Sequence, residues 1–327
     1  LNITLILNYF PTVLGNDSKF DKLYSLIMIH STIKKWIGLP VTCKNPKSIF
    51  IGLIGGVGDL IATAPSVAAL KEKYPKAKII FGVGDGIFYN TIKNDPNIDS
   101  FETPFTYNVW KKRAQRKAYR EQYKKHDLVF LLDNGNRDWW KQKKHLLDIY
   151  AEKCGVTLKQ RRPIIYLDDK DIEEAQKKIK ELGVSSTDKL LVLSPETRSK
   201  KEMKEWPYER FLSLIKKIHE NFDFKIITLT SKENPYDFKG TIPLKGFPLG
   251  PSSAMIKKAN FYIGLDNGLT HIASCFDVKM ISIHIGFPVE CCGPLSPFAK
   301  TIAHKPFDPP ESISVEEVYE IFKISIS

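Results

Sequence analysis

From Ser48 onward, short apolar runs alternate with stretches of helical spacing. SIFIGLI, from Ser48, reads as a buried strand, and Pro65 to Lys73 carries apolar residues at helical intervals. AKIIFGV is a second strand. Trp110 to Lys125 is strongly basic with helical propensity. DLVFLLD (Asp127 to Asp133) is a third strand with a carboxylate at its end. HLLDIYAEKCG is a helix that stops at Gly155. A further apolar run spans Pro163 to Tyr166, and an amphipathic helix follows it. That helix has an acidic first turn at Asp168-Asp169 and closes on Gly183.

A second alternation then begins. KLLVLSP, FKIITLT, FYIGLD and KMISIHIG read as strands. WPYERFLSLIKKIHENF (with Pro207 in its first turn), SSAMIKKA and LTHIASCF read as the helices between them, and SVEEVYEIFKIS as a final amphipathic helix. Strand-helix alternation predicts an α/β protein with parallel sheets covered by helices on both faces. The boundary between the two series falls near residues 166–186. The expected units are an extension over 1–47, a first domain over 48–170 and a second over 171–327. Two Rossmann-like domains facing each other would bind a ligand in the cleft between the carboxyl ends of their strands.

Composition adds little to the fold and something to the chemistry. Hydrophobic residues make up 43% of the 327 and charged residues 26%, which excludes disordered, collagenous and coiled-coil chains. The formal charge of +12 predicts attraction to anions, among them nucleotides, phosphorylated glycans, lipid headgroups and nucleic acid. The five cysteines show no C-x-x-C spacing, so reduced thiols and a cytoplasmic setting are expected. Cys291-Cys292 reads as a turn beside Gly293-Pro294. In the 1–47 extension no stretch reaches the roughly 20 apolar residues of a membrane span. That extension reads as a cap on the first domain or as a segment resting on a membrane surface.

Three turns carry candidate chemistry. After the first strand, Gly55, Gly56 and Gly58 lead into Asp59. A dinucleotide fingerprint would need a third glycine where Ile61 stands, although Asp85 ends the next strand where a ribose-binding acid could sit. Asp59 itself reads as a helix cap, as part of such a ribose-pyrophosphate site, or as a catalytic carboxylate. The second turn, ETRSKKEMKEWP, offers Thr197, Arg198, Lys200, Lys201 and Lys204 before a helix, either an anion site or a solvated basic loop. The third is Asp266-Asn267-Gly268, where the N–H groups of Leu269 and Thr270 would cradle a pyrophosphate and His271 is either a base or a packing residue.

GGVGDLIATAPSVAALKEKYPKAKI, SPETR with KEWPYERF, and GLDNGLTHIASCFDVKMISIHIG together resemble glycosyltransferase family 9, the ADP-heptose-dependent heptosyltransferases and their relatives. The resemblance runs from about Ile49 to the end. It implies a GT-B fold with the acceptor on the first domain and the nucleotide-sugar on the second. It also implies inverting transfer with no metal and no cofactor beyond the donor itself. Asp59 then matches the general base, and Gly55, Gly56 and Gly58 the acceptor-side loop. Thr197 and Lys204 match phosphate-binding residues. Asp266, Asn267 and Gly268 match the donor turn, with Leu269 and Thr270 behind it, and His271 the histidine that follows. Arg198 is a further candidate for the diphosphate. Glu196 departs from the pattern, standing where a small hydroxyl residue is common.

The implied partners are a nucleotide-sugar donor and an anionic or lipid-anchored glycan acceptor, with peripheral contact at the inner membrane. The basic run from Trp110 to Lys125 suits such an acceptor or an anionic surface, or is a solvated helix face. Nucleic acid is not expected, because no recognition motif accompanies the charge. Two other functions fit parts of the sequence. One is an NAD-binding oxidoreductase built on the Gly56-Val57-Gly58 turn. The other is a non-catalytic basic module for membrane or nucleic acid.

Overall fold

The structure, a computed structural model, describes residues 43–105, 123–132 and 139–326. The extension before residue 43, most of the basic run after Trp110, and Asp133 lie outside the described residues.

The first sheet holds β1 (Ser48–Leu53), β2 (Lys78–Gly82), β3 (Ser100–Glu102) and β4 (Leu128–Leu132) in the order β3-β2-β1-β4. All its pairings are parallel. Alternation along β1 sends Ile49, Ile51 and Leu53 into one cluster with Leu60, Val67 and Leu70, and Phe50 to the other face against Phe105 and Tyr123. Among the described residues, the α-helices that accompany the sheet are α1 (Val57–Lys73), α2 (Ile87–Ile92) and α3 (Leu146–Cys154). α1 starts eight residues before Pro65, where helical spacing alone placed it. Asp59 stands in its first turn and accepts a hydrogen bond from the Gly56 N–H at 2.7 Å. α3 ends as expected at Gly155, in the left-handed region at φ 62°.

α4 (Asp169–Glu181) joins the two halves, with Asp168 as its N-cap accepting from the Asp171 N–H at 2.8 Å. The second sheet holds β5 (Lys189–Ser194), β6 (Phe224–Thr230), β7 (Ile242–Lys245), β8 (Phe261–Leu265), β9 (Lys279–Ile283) and β10 (Ala299–Ile302). Their order is β10-β9-β8-β5-β6-β7, again all parallel. α5 (Lys201–Lys204) and α6 (Tyr208–Asn221) follow β5, α7 (Leu249–Lys258) follows β7, and α8 (Gly268–Ala273) follows β8. α9 (Val289–Cys292) follows β9, and α10 (Val315–Ile326) closes the chain.

The short strands β3, β7 and β10 have no counterpart in the sequence reading. They lie at sheet edges, are partly exposed, and so lack the continuous apolar run that marks a central strand. β7 also carries Pro243, which only an edge tolerates. The apolar run from Pro163 to Tyr166 forms no strand.

Each sheet reverses its strand order once, between β1 and β4 in the first and between β5 and β8 in the second. Such reversals open crevices at the carboxyl ends of parallel strands. The two halves also exchange core residues. Cys291 and Cys292, expected in a turn, form the short α9 and are buried in the apolar cluster of the first sheet with Leu147 and Tyr150. The Cys291 thiol donates to the Trp140 carbonyl at 3.2 Å. Conversely, Ile61 of α1 is buried in the cluster of the second sheet with Ile272, with Leu269 packed against it. No helix among the described residues is long and apolar enough to cross a membrane.

Candidate active site

Both switch points end in the turns singled out by sequence, and these turns meet. A Cβ added at Gly58 would lie 2.6 Å from His271 Cδ2, and one at Gly268 would lie 2.9 Å from Val57 Cβ. Each turn therefore supplies a glycine where the other needs room. Gly55 is small for a different neighbour, because a Cβ there would lie 2.5 Å from Asp59 Cβ. Gly56 is exposed and gives its N–H to Asp59. Ile61 fills the position of the missing third glycine, and its side chain is used for packing between the halves.

Asp59 is half-buried, with both carboxylate oxygens engaged. Oδ2 accepts the Gly56 N–H at 2.7 Å, and Oδ1 accepts the Tyr150 hydroxyl at 2.6 Å. Asp59 therefore caps α1 and also faces the second half across Gly58. Asp85 lies in the turn after β2, just before α2.

The second half presents a buried charged cluster. Asp266, at the end of β8, pairs with Lys204 of α5, Nζ to Oδ2 at 2.5 Å, and its Oδ1 is 3.6 Å from His271 Nε2. Burial pushes the Asp266 carboxyl up, but His284, His271 and Lys204 outweigh it and hold the group far below the usual carboxylate range. Burial pushes the His284 imidazole down, and burial likewise raises the Cys292 thiol well above its ordinary value. Ligand atoms of Asp266, His284 and Cys292 lie within 4.8 Å of one another. The Lys204 ammonium pairs with the Asp266 carboxylate beside this trio. The Lys204 ammonium also stands 5.2 Å from the Phe287 ring centroid.

The turn after β8 is tied to the turn after β5. Asn267 caps α8 by accepting the Thr270 N–H at 2.9 Å. Its amide donates to Ser194 Oγ at 2.9 Å and to the Glu196 carbonyl at 2.8 Å. The Thr270 N–H is committed to the cap, and the Thr270 hydroxyl donates to the Leu265 carbonyl at 2.5 Å, so Thr270 holds the turn from within. The Leu269 side chain likewise packs against the apolar cluster of the second sheet. Thr197 is buried too. Its hydroxyl donates to the Ser199 carbonyl at 3.2 Å and its N–H to Glu205 Oε1 at 3.1 Å. Arg198 is exposed on the loop, and Lys201 pairs with Glu196 and Glu205. Glu196 turns towards the end of β6, accepting from the Ser231 N–H at 2.7 Å and the Ser231 hydroxyl at 2.8 Å. Trp206 fixes the far end of the loop, buried, with its Nε1–H donating to the Ile313 carbonyl at 2.8 Å.

The structure thus brings Asp59, Gly58, Asp266, Asn267, Gly268, His271 and Lys204 together and leaves Arg198 outside that cluster. Three contributors were not among the site residues read from sequence. Tyr150 looks like a core residue, Cys292 reads as part of a turn, and His284 lies inside a buried strand run. His145 is a fourth. It caps α3, accepting the Leu147 N–H on Nδ1 at 3.1 Å, and its Nε2–H donates to the Gly293 carbonyl at 3.0 Å.

Sequence comparison finds no matching family and no matching curated protein. Comparison of folds does find matches. A family 9 glycosyltransferase from Veillonella parvula superposes with a TM-score of 0.67 at 18% identity, over 86% of this chain and 98% of that one. The ADP-heptose lipopolysaccharide heptosyltransferase II of E. coli gives 0.60 at 14% identity, over 85% and 98%. The E. coli heptosyltransferase WaaC, solved with ADP, gives 0.58 at 15% identity, over 85% and 99%. The expected two-sheet α/β fold of the GT-B type is therefore present.

Proposed function

We propose that this protein is an inverting glycosyltransferase that needs no metal. In this reading it moves a sugar, heptose in the first instance, from a nucleoside-diphospho-sugar, ADP-heptose in the first instance. The acceptor is a hydroxyl of a lipopolysaccharide or other cell-surface glycan, reached from the cytoplasmic face of the inner membrane. One observation carries the reading. A carboxylate held on the first half by two donors faces, across Gly58, the Asp266–Lys204–His271 cluster on the second half. The fold shared with nucleotide-sugar enzymes supports it.

In this mechanism Asp59 takes the proton of the acceptor hydroxyl. The acceptor oxygen forms a bond to the anomeric carbon, and the bond from that carbon to the phosphate oxygen breaks on the opposite side. Its electron pair leaves with the nucleoside diphosphate, and the anomeric centre is inverted. Lys204 meets the developing charge, because an ammonium has three N–H donors and can hold Asp266 and a phosphate oxygen together. Arg198, exposed on the neighbouring loop, is a further candidate for the diphosphate. Asn267 and Thr197 keep the donor loop in shape.

A thermal-shift panel of sugar nucleotides followed by a transfer assay tests the proposal. Stabilisation by a nucleoside-diphospho-heptose and not by NAD(H) is expected. Asp59→Asn should lower transfer by about 10²–10⁴-fold without unfolding the protein. Stabilisation by NAD(H) alone, or full activity of Asp59→Asn, would overturn it.

A further inference from the structure

We propose that Tyr150 is a positioning residue that sets the orientation of the Asp59 carboxylate; the proposal rests on the glycosyltransferase reading above. The first turn of α1 provides a single tether, the Gly56 N–H on Oδ2. A carboxylate tied only by that bond is an ordinary helix cap. It satisfies the helix whichever way its other oxygen points. The second tether comes from another element, the Tyr150 hydroxyl of α3 on Oδ1 at 2.6 Å. Two donors on the two oxygens fix the plane of the group. Each carboxylate oxygen has two acceptor sites, so Oδ1 keeps one for an incoming hydroxyl.

Tyr150 is well suited to this task. It is 1% exposed, held in the core by Leu147, Ile149 and Cys154 of its own helix, and has little rotamer freedom. The first residue of its helix is preceded by His145, whose Nε2–H is bonded to the Gly293 carbonyl on the segment that also carries Cys291 and Cys292. The helix that aims Asp59 is thus fastened at its start to the chain from the second half.

Tyr150→Phe removes the hydroxyl and keeps the packing. Misplacement of a reacting group costs about 100-fold per ångström, so kcat should fall about 10–100-fold while the donor KM changes less than about twofold. On an Asp59→Asn background the same substitution should cost nothing further. A kcat within about twofold of the wild type, or an equal loss on both backgrounds, would overturn the proposal. If the wild type transfers no sugar at all, the functional reading has failed. The positioning claim is then read from urea unfolding of the four variants: additive effects overturn it, and a coupled pair supports it.

Discussion

Lys204 and Asp266 form an ion pair of 2.5 Å inside the protein, with side chains 10% and 4% exposed. Removing Lys204 takes the ammonium away from a buried carboxylate and leaves it only the His271 and His284 rings. Lys204→Met should lower unfolding stability by about 3–5 kcal/mol. Lys204→Met with Asp266→Asn should recover part of that loss. Both are read as midpoints of urea unfolding. An unchanged midpoint for Lys204→Met would show that the pair is not closed in solution.

His145 makes stability depend on acidity. Its neutral ring accepts on Nδ1 and donates from Nε2, and burial pushes its pKa from 6.5 to about 4. The folded value lies below the unfolded one, so the unfolded chain binds the extra proton between them. The contribution is complete above about pH 6.5 and declines as pH falls towards 4, by up to about 3 kcal/mol. Melting of wild type and His145→Asn across that window should converge at the acid end. Parallel curves would rule His145 out as the cause.

The Gly58–His271 contact predicts a rescue. Gly58→Ala places a methyl 2.6 Å from the imidazole, an overlap worth about 1–3 kcal/mol. Gly58→Ala with His271→Ala should melt above Gly58→Ala alone. A double variant that melts lower than either single variant would show that the two turns do not touch.

Asn267→Asp separates the two duties of the side chain. The acceptor for the Thr270 N–H remains, while the donors to Ser194 and Glu196 are lost and a second carboxylate is set beside Asp266. A destabilisation of about 1–3 kcal/mol is expected in differential scanning calorimetry, together with weaker stabilisation by a sugar nucleotide. A wild-type melting profile would remove Asn267 as the tie between the two loops.

The central strands were legible because β1, β5, β8 and β9 are apolar almost throughout, as strands covered on both faces must be. The three turns were legible because glycine and short polar residues interrupt those runs at their ends. What stayed hidden depends on partners far along the chain. Tyr150 sits 91 positions from Asp59, and in sequence it is one more aromatic residue on an apolar helix face. The commitment of Thr270 to its own cap was hidden for a related reason. A helix start always has spare N–H groups, and only the folded chain shows which of them a neighbouring side chain has taken. Pro65 marked a false beginning for α1, since proline is as welcome in a first turn as it is rare within a helix.

The burial of Cys291 and Cys292 in the first sheet's core has a consequence for the chain as a covalent object. A cut in the exposed stretch before α4 would sever the backbone without releasing either half. The fragment bearing β5 to α10 would still place Cys291 and Cys292 in the other fragment's interior, and that other fragment would still place Ile61 in its partner's. The two pieces should behave as complementing fragments, each soluble and ordered in the company of the other.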